Sequence, residues 1–275
     1  MSTVTINCCD YHVEIQGDGV PLVLLHGFTG STENWHGQIE RLSHHYTVIA
    51  IDLPGHGRTA SPPDPERYRM AHVAADLHKL LTSLTAAPVN LLGYSMGGRL
   101  ALYFALHYPD MVMSLVLESA SPGLADAAAQ AARRAQDEAL ARRIETEGIP
   151  AFVDYWENIP LFESQRRLPE TVRAALRQQR LANNPVGLAN SLRGMGTGVQ
   201  PSLWDRLPEL TRPALLMAGE LDTKFVGIAR EMHALLPQSQ LIIVPDAGHT
   251  IHLEQPQALE IQVQMFILRV YNQWF

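Results

Sequence analysis

The sequence is short of cysteine, of charge and of long apolar runs, and each shortage excludes something. Its only cysteines, Cys8 and Cys9, are neighbours. Adjacent cysteines rarely bridge, so no disulfide framework is available and a reducing compartment is expected. No apolar run approaches the roughly 20 residues that a membrane-spanning helix requires. The opening MSTVTINCCDYHVEI has no basic stretch followed by an apolar one, so it does not read as a secretory signal. A cytoplasmic protein is expected, with no membrane partner. Only 18% of residues are charged and the net charge is −7. That balance argues against general binding to nucleic acid or an anionic membrane, while leaving room for a locally basic site. There is no glycine fingerprint for a dinucleotide or phosphate. No His, Cys or Asp cluster has metal-ligand spacing. Neither a metal nor a cofactor is expected, and a monomer or weak homo-oligomer is the default.

What is present is apolar material in short pieces. Apolar residues make up 46% of the 275 positions, enough for one α/β domain carrying a sizeable insertion. Val4 to Ile15 alternates and then meets Gly17-Asp18-Gly19, the pattern of an antiparallel edge hairpin. The runs PLVLLHG, YTVIAIDLPG, VNLLGYSMGG, MVMSLVLES, RPALLMAGE and SQLIIVPDAGH are almost wholly apolar and end in glycine or polar residues. Parallel strands buried on both faces look like this. Helical periodicity lies between them, near 35–44, 71–84, 97–107, 227–235 and 257–271. Strand alternating with helix predicts a mostly parallel sheet flanked by helices. From about Pro122 to Leu203 no strand can be read. Ala-, Arg- and Gln-rich helical text is broken at Gly148–Pro150, Pro160, Pro169, Pro185 and Gly194–Gly198. The reading is a core of residues 1–121 and 204–275 with a helical cap insertion at 122–203.

Gly93-Tyr94-Ser95-Met96-Gly97 fits G-x-S-x-G after an apolar strand and before a helix, the context that gives this motif its meaning. It predicts a nucleophile elbow and the α/β-hydrolase fold. His249 follows the run LIIV and Asp222 follows ALLM, so the chain order is Ser, Asp, His. A serine hydroxyl becomes reactive only when an imidazole accepts its proton, and a carboxylate fixes the imidazole tautomer. Glu118, at another strand end, is the rival acid; Asp222 is preferred. His252 is the rival imidazole and is read as packing or capping. The N–H groups of Phe28, in Leu25-His26-Gly27-Phe28, and of Met96 are expected to form an oxyanion hole. Asp52-Leu53-Pro54-Gly55-His56-Gly57 reads as a structural turn beside it. Arg99 lies four residues after Ser95 on the same helix face. It either meets a substrate carboxylate or forms a salt bridge to a neighbouring loop, and spacing alone does not choose.

LeuHisGlyPhe, AspLeuProGlyHisGly, GlyTyrSerMetGlyGlyArg, GluSerAlaSerProGlyLeu, TyrTrpGluAsnIleProLeuPhe, ArgGlnGlnArgLeuAlaAsnAsnPro, the GlyThrGly at 196–198 and AlaGlyHisThrIleHis together resemble the MenH family, the 2-succinyl-6-hydroxy-2,4-cyclohexadiene-1-carboxylate synthases of menaquinone (vitamin K2) biosynthesis. The resemblance spans nearly the whole chain. It implies a lyase that eliminates pyruvate from a tricarboxylate, 2-succinyl-5-enolpyruvyl-6-hydroxy-3-cyclohexene-1-carboxylate, with Ser95 as base. It also implies substrate contacts from Tyr94, Arg99, Arg133, Arg180, Trp156 and Phe162. Arg134 shadows Arg133 and Arg177 shadows Arg180, and both choices stay open. By composition alone the cap arginines would be solvated helix charges and the two aromatics core residues. Two other readings remain: a triad hydrolase of esters or carbon–carbon bonds, and a ligand-binding protein without catalysis.

Overall fold

The computed structural model describes residues 2–274. Eight strands form one sheet: β1 (Ser2–Ile6), β2 (Cys9–Gln16), β3 (Val20–Leu25), β4 (Tyr46–Ile51), β5 (Val89–Tyr94), β6 (Val112–Glu118), β7 (Ala214–Gly219) and β8 (Ser239–Val244). Their order is β1-β2-β4-β3-β5-β6-β7-β8. The β1–β2 hairpin is antiparallel and pairs antiparallel with β4; from β4 to β8 every pairing is parallel. The alternating first segment and the continuous apolar runs thus became the two kinds of strand their patterns predict.

Side chains of a strand point alternately to the two faces. Val23 and Leu25 enter one apolar cluster with helices α2 (Met70–Leu84) and α3 (Met96–His107); Leu22 and Leu24 enter the other with α1 (His36–Leu42) and α8 (Pro256–Trp274). A sheet clothed on both faces leaves only its strand ends for chemistry. Every parallel strand ends on the same edge, which is where α/β sheets bind ligands.

Between β6 and β7 stand α4 (Ala127–Trp156), a 3₁₀ stretch at Pro160–Arg167, α5 (Glu170–Leu181) and α6 (Pro185–Met195). The neck is narrow: Leu203 N–H donates to the Pro122 carbonyl at 2.7 Å. α4 is two helical pieces, broken at Gly148, whose φ is 81°. Gly194 does not break α6, which runs to Met195. A side chain at Gly194 would strike Tyr68 at 2.5 Å, so that glycine is there for close packing. The cap has its own small apolar cluster of Ile144, Phe152, Val153, Leu188 and Leu192. It rests on the core through polar contacts as well. Gln179 Nε2 donates to Ser31 Oγ at 2.8 Å, Asn183 Nδ2 to the Thr29 carbonyl at 3.0 Å and Gln165 Nε2 to Thr250 Oγ1 at 3.0 Å. Gly55, at φ 79°, lets the Asp52–Gly57 turn approach α6; a side chain there would strike the Gly187 carbonyl at 2.6 Å.

Candidate active site

Ser95 is the single residue between β5 and α3. Its φ of 49° is rare for a residue with a side chain, and such strain is held only where the surroundings enforce it. They do so by crowding. A side chain at Gly93 would collide with the Gly97 carbonyl, and one at Gly97 with the Leu25 carbonyl. Ser95 N–H donates to the Glu118 carbonyl on the adjoining strand at 2.9 Å, which pins the turn.

The other two members arrive from neighbouring strand ends. Asp222 caps α7 (Thr223–Leu235) by accepting from Phe225 N–H through Oδ1 at 3.3 Å. Its Oδ2 accepts from His249 Nδ1 at 2.6 Å. His249 Nε2 lies 3.0 Å from Ser95 Oγ. With Nδ1–H committed to Asp222, Nε2 carries the lone pair that can take the serine proton. The rings of Phe225 at 4.6 Å and Tyr94 at 5.4 Å hold the imidazole edge-on.

Glu118 and His252 pair with each other instead. Glu118 Oε1 accepts from His252 N–H at 3.0 Å and from its Nδ1 at 2.8 Å. The His252 ring packs between Trp35 and Tyr94. Burial, then the Glu118 charge, pushes the Tyr94 phenol well above its ordinary range, so Tyr94 presents a neutral hydroxyl. The N–H groups of Phe28 and Met96 find no protein acceptor among the described residues. Beneath them His26 Nε2 accepts from Leu53 N–H at 2.9 Å, and Asp52 Oδ1 from Thr32 N–H at 2.6 Å. Burial drives His26 down to about 4 and His56 to about 3. Both are neutral supports of this turn, in keeping with its structural role.

Ser95, His249, Phe28, Tyr94 and Met96 open into a cavity of about 190 Å³. Trp156 and Phe162 form its ceiling, at 5.6 Å from each other, and Trp156 meets Phe28 at 5.4 Å. Arg99 and Arg133 line it. Arg99 is 8% exposed and forms no ion pair among the described residues, so the salt-bridge reading fails. Its Nη1 donates to the Met195 carbonyl and to Gln200 Oε1, both at 2.8 Å. Burial, with Arg133 next, pushes its guanidinium down to about 10. Arg133 Nε donates to Asp137 Oδ1 at 2.7 Å. Arg134 turns away and donates to the Gly198 carbonyl at 3.1 Å, so Arg133 is the one that faces the cavity.

Arg180 does not line the Ser95 cavity. Phe162 stands between, with the Arg180 guanidinium 5.1 Å from its ring centre. Arg180 lines a second cavity of about 440 Å³ on the outer side of Phe162. It donates to Gln165 Oε1 at 3.2 Å and is itself buried, which lowers its pKa. Arg177 is neutralised by Asp154 and Glu157. Lys224, in the first turn of α7, lines the Ser95 cavity and is not singled out by sequence patterning. A cation at a helix N-terminus opposes the helix dipole, and that misplacement was the available signal.

A model of the alpha/beta hydrolase fold family matches residues 20–256. A Bacillus subtilis (strain 168) protein, provisionally named 2-succinyl-6-hydroxy-2,4-cyclohexadiene-1-carboxylate synthase, is 47% identical over 98% of this chain and 100% of its own length. The synthase of that name from Serratia proteamaculans is 34% identical, covering 90% of this chain and 92% of the relative. The structure of MenH from S. aureus superposes with a TM-score of 0.91 at 40% identity, over 95% of this chain and 98% of that one. With its parallel sheet, elbow and cap, the chain belongs to the α/β-hydrolase fold family and, within it, to the 2-succinyl-6-hydroxy-2,4-cyclohexadiene-1-carboxylate synthases.

Proposed function

We propose that this chain is a carbon–oxygen lyase of menaquinone biosynthesis that eliminates pyruvate from 2-succinyl-5-enolpyruvyl-6-hydroxy-3-cyclohexene-1-carboxylate. The observation that carries this reading is a buried Arg99 with no carboxylate on it, facing Arg133 in the Ser95 cavity. A buried cation left without a counter-charge is costly unless a ligand supplies one. An ester hydrolase acting on neutral substrates has no use for it.

His249 accepts the Ser95 proton while Asp222 steadies the imidazolium. The serine oxygen then removes the ring proton next to the succinyl carbonyl. The electron pair moves onto the carbonyl oxygen, which takes hydrogen bonds from the Phe28 and Met96 N–H groups. As the enolate collapses, a C2–C3 double bond forms, the existing C3–C4 double bond shifts to C4–C5, the C5–oxygen bond breaks and pyruvate leaves as its enolate, which takes up the proton from Ser95. Guanidinium forks suit carboxylates, and Arg99 and Arg133 would hold two of the substrate's three. Arg180 would reach a third once Phe162 moves aside. Tyr94, Trp156 and Phe162 would pack the ring. We further propose a cytoplasmic monomer or weak homo-oligomer, a reading that rests on two adjacent cysteines and on composition.

Purified protein offered the enolpyruvyl substrate should release pyruvate, read by coupled lactate formation. Strong turnover of nitrophenyl esters with no pyruvate would make it a hydrolase. Binding without turnover, unchanged in Ser95→Ala, would make it a ligand-binding protein.

A further inference from the structure

We infer that Asp137 is a positioning residue for the anion-binding end of the cavity: its carboxylate, wedged against the turn that follows α6, orients Arg133. This role rests on the tricarboxylate reading above and adds a residue to it. An Arg and an Asp four apart on a helix usually make an exposed pair of small consequence. This pair is different because Asp137 is 4% exposed.

Asp137 uses both oxygens. Oδ1 accepts from Arg133 Nε at 2.7 Å and Oδ2 from Gly198 N–H at 3.3 Å. Binding Arg133 through Nε leaves its two terminal NH₂ groups for a carboxylate, the fork geometry such an anion prefers. The carboxylate is wedged against the turn: a side chain at Gly196 would strike Asp137 Oδ2 at 2.5 Å. That turn carries the Arg99 acceptors. Met195 supplies one carbonyl, and Gln200, whose N–H donates to the Gly196 carbonyl at 3.1 Å, supplies the other. One buried carboxylate therefore ties α4, the 195–200 turn and both cavity arginines together. It also offsets two guanidiniums that face each other; its field raises the Arg99 pKa where Arg133 lowers it.

The test is a double-mutant cycle on pyruvate release with Asp137→Ala, Arg133→Ala and the pair. A residue that acts through another adds nothing once the other is gone. Asp137→Ala should raise KM about tenfold with kcat little changed, and Arg133→Ala about thirtyfold, the scale of charged hydrogen bonds. The double variant should match Arg133→Ala. Effects that multiply, or an unchanged KM in Asp137→Ala, would overturn the inference. Asp137→Thr, closer to Asp in size but without a carboxylate for Arg133, replaces Asp137→Ala in the cycle if the latter does not fold. A wild type that releases no pyruvate would sink the tricarboxylate reading instead. The same cycle would then be read on the calorimetric Kd of a benzene tricarboxylate. A double variant no weaker than Arg133→Ala would again support the role of Asp137, and multiplying losses would again overturn it.

Discussion

The cavity has two ends, and they are finished differently. At the reacting end, Ser95, His249 and Asp222 supply each other's partners at 3.0 and 2.6 Å, and two rings clamp the imidazole. At the anion end, Arg99 has only neutral acceptors and Arg133 shares one carboxylate with a turn. The first end is complete before substrate arrives, as preorganised electrostatic catalysis requires. The second carries surplus positive charge in a buried place, which lowers stability and, in the proposed reaction, is met by substrate carboxylates. The reacting end alone would serve any acyl or proton-transfer chemistry. In the proposed reaction the anion end makes it selective.

Replacing each end should separate these roles. Ser95→Ala should lower the rate of pyruvate release by about 10²–10⁴-fold, the contribution of a positioned base, while substrate binding and the unfolding midpoint hold. Stopped assays and thermal scans check both. Arg99→Met should lower kcat/KM by about 2–3 kcal/mol, roughly 30- to 150-fold, because a charged hydrogen bond is lost. Its unfolding midpoint without ligand should equal or exceed that of the wild type, since a buried cation is gone. A clear fall in that midpoint would mean that Arg99 is a structural residue.

Acid should attack the support of the reacting end. His26 and His56 titrate near 4 and 3 when folded and near 6.5 when unfolded. The unfolded chain therefore binds more protons between these limits. The stability tied to neutral His26 and His56 is whole above pH 6.5 and falls as pH drops toward 4 and then 3. Chemical denaturation at pH 7, 6, 5 and 4 should show a steady loss, with uptake of about two protons on unfolding near pH 5. The smallest effect belongs to the cap surface. Arg142 is largely exposed, and its pair with Glu138 at 2.9 Å is one turn apart on α4. Arg142→Ala should change stability by less than about 0.5 kcal/mol and kcat/KM not measurably.

The reacting end was legible in the sequence because strand ends are. Apolar runs located the strands, and the residues just beyond them in Ser, Asp, His order had one way to meet. Glu118 also ends a strand, and only the structure shows its carboxylate turned to His252. The anion end was less legible. Ala-rich α4 lacks the periodicity that would tell Arg133 from Arg134. The depth of Arg180 depends on the 3₁₀ stretch at Pro160–Arg167, whose Phe162 lies between the two cavities. Asp137 is not singled out by the sequence, because burial by a distant turn leaves no local trace.

The central claim is that Ser95 acts on a carbon-bound proton and never carries the substrate. It is tested most directly by single-turnover release of pyruvate from substrate deuterated on the ring carbon next to the succinyl carbonyl, with the intact mass of the enzyme followed in parallel. A primary isotope effect is expected, with an enzyme mass that stays constant throughout. Release that ignores the deuterium, accompanied by a transient gain in mass lost in Ser95→Ala, would contradict it.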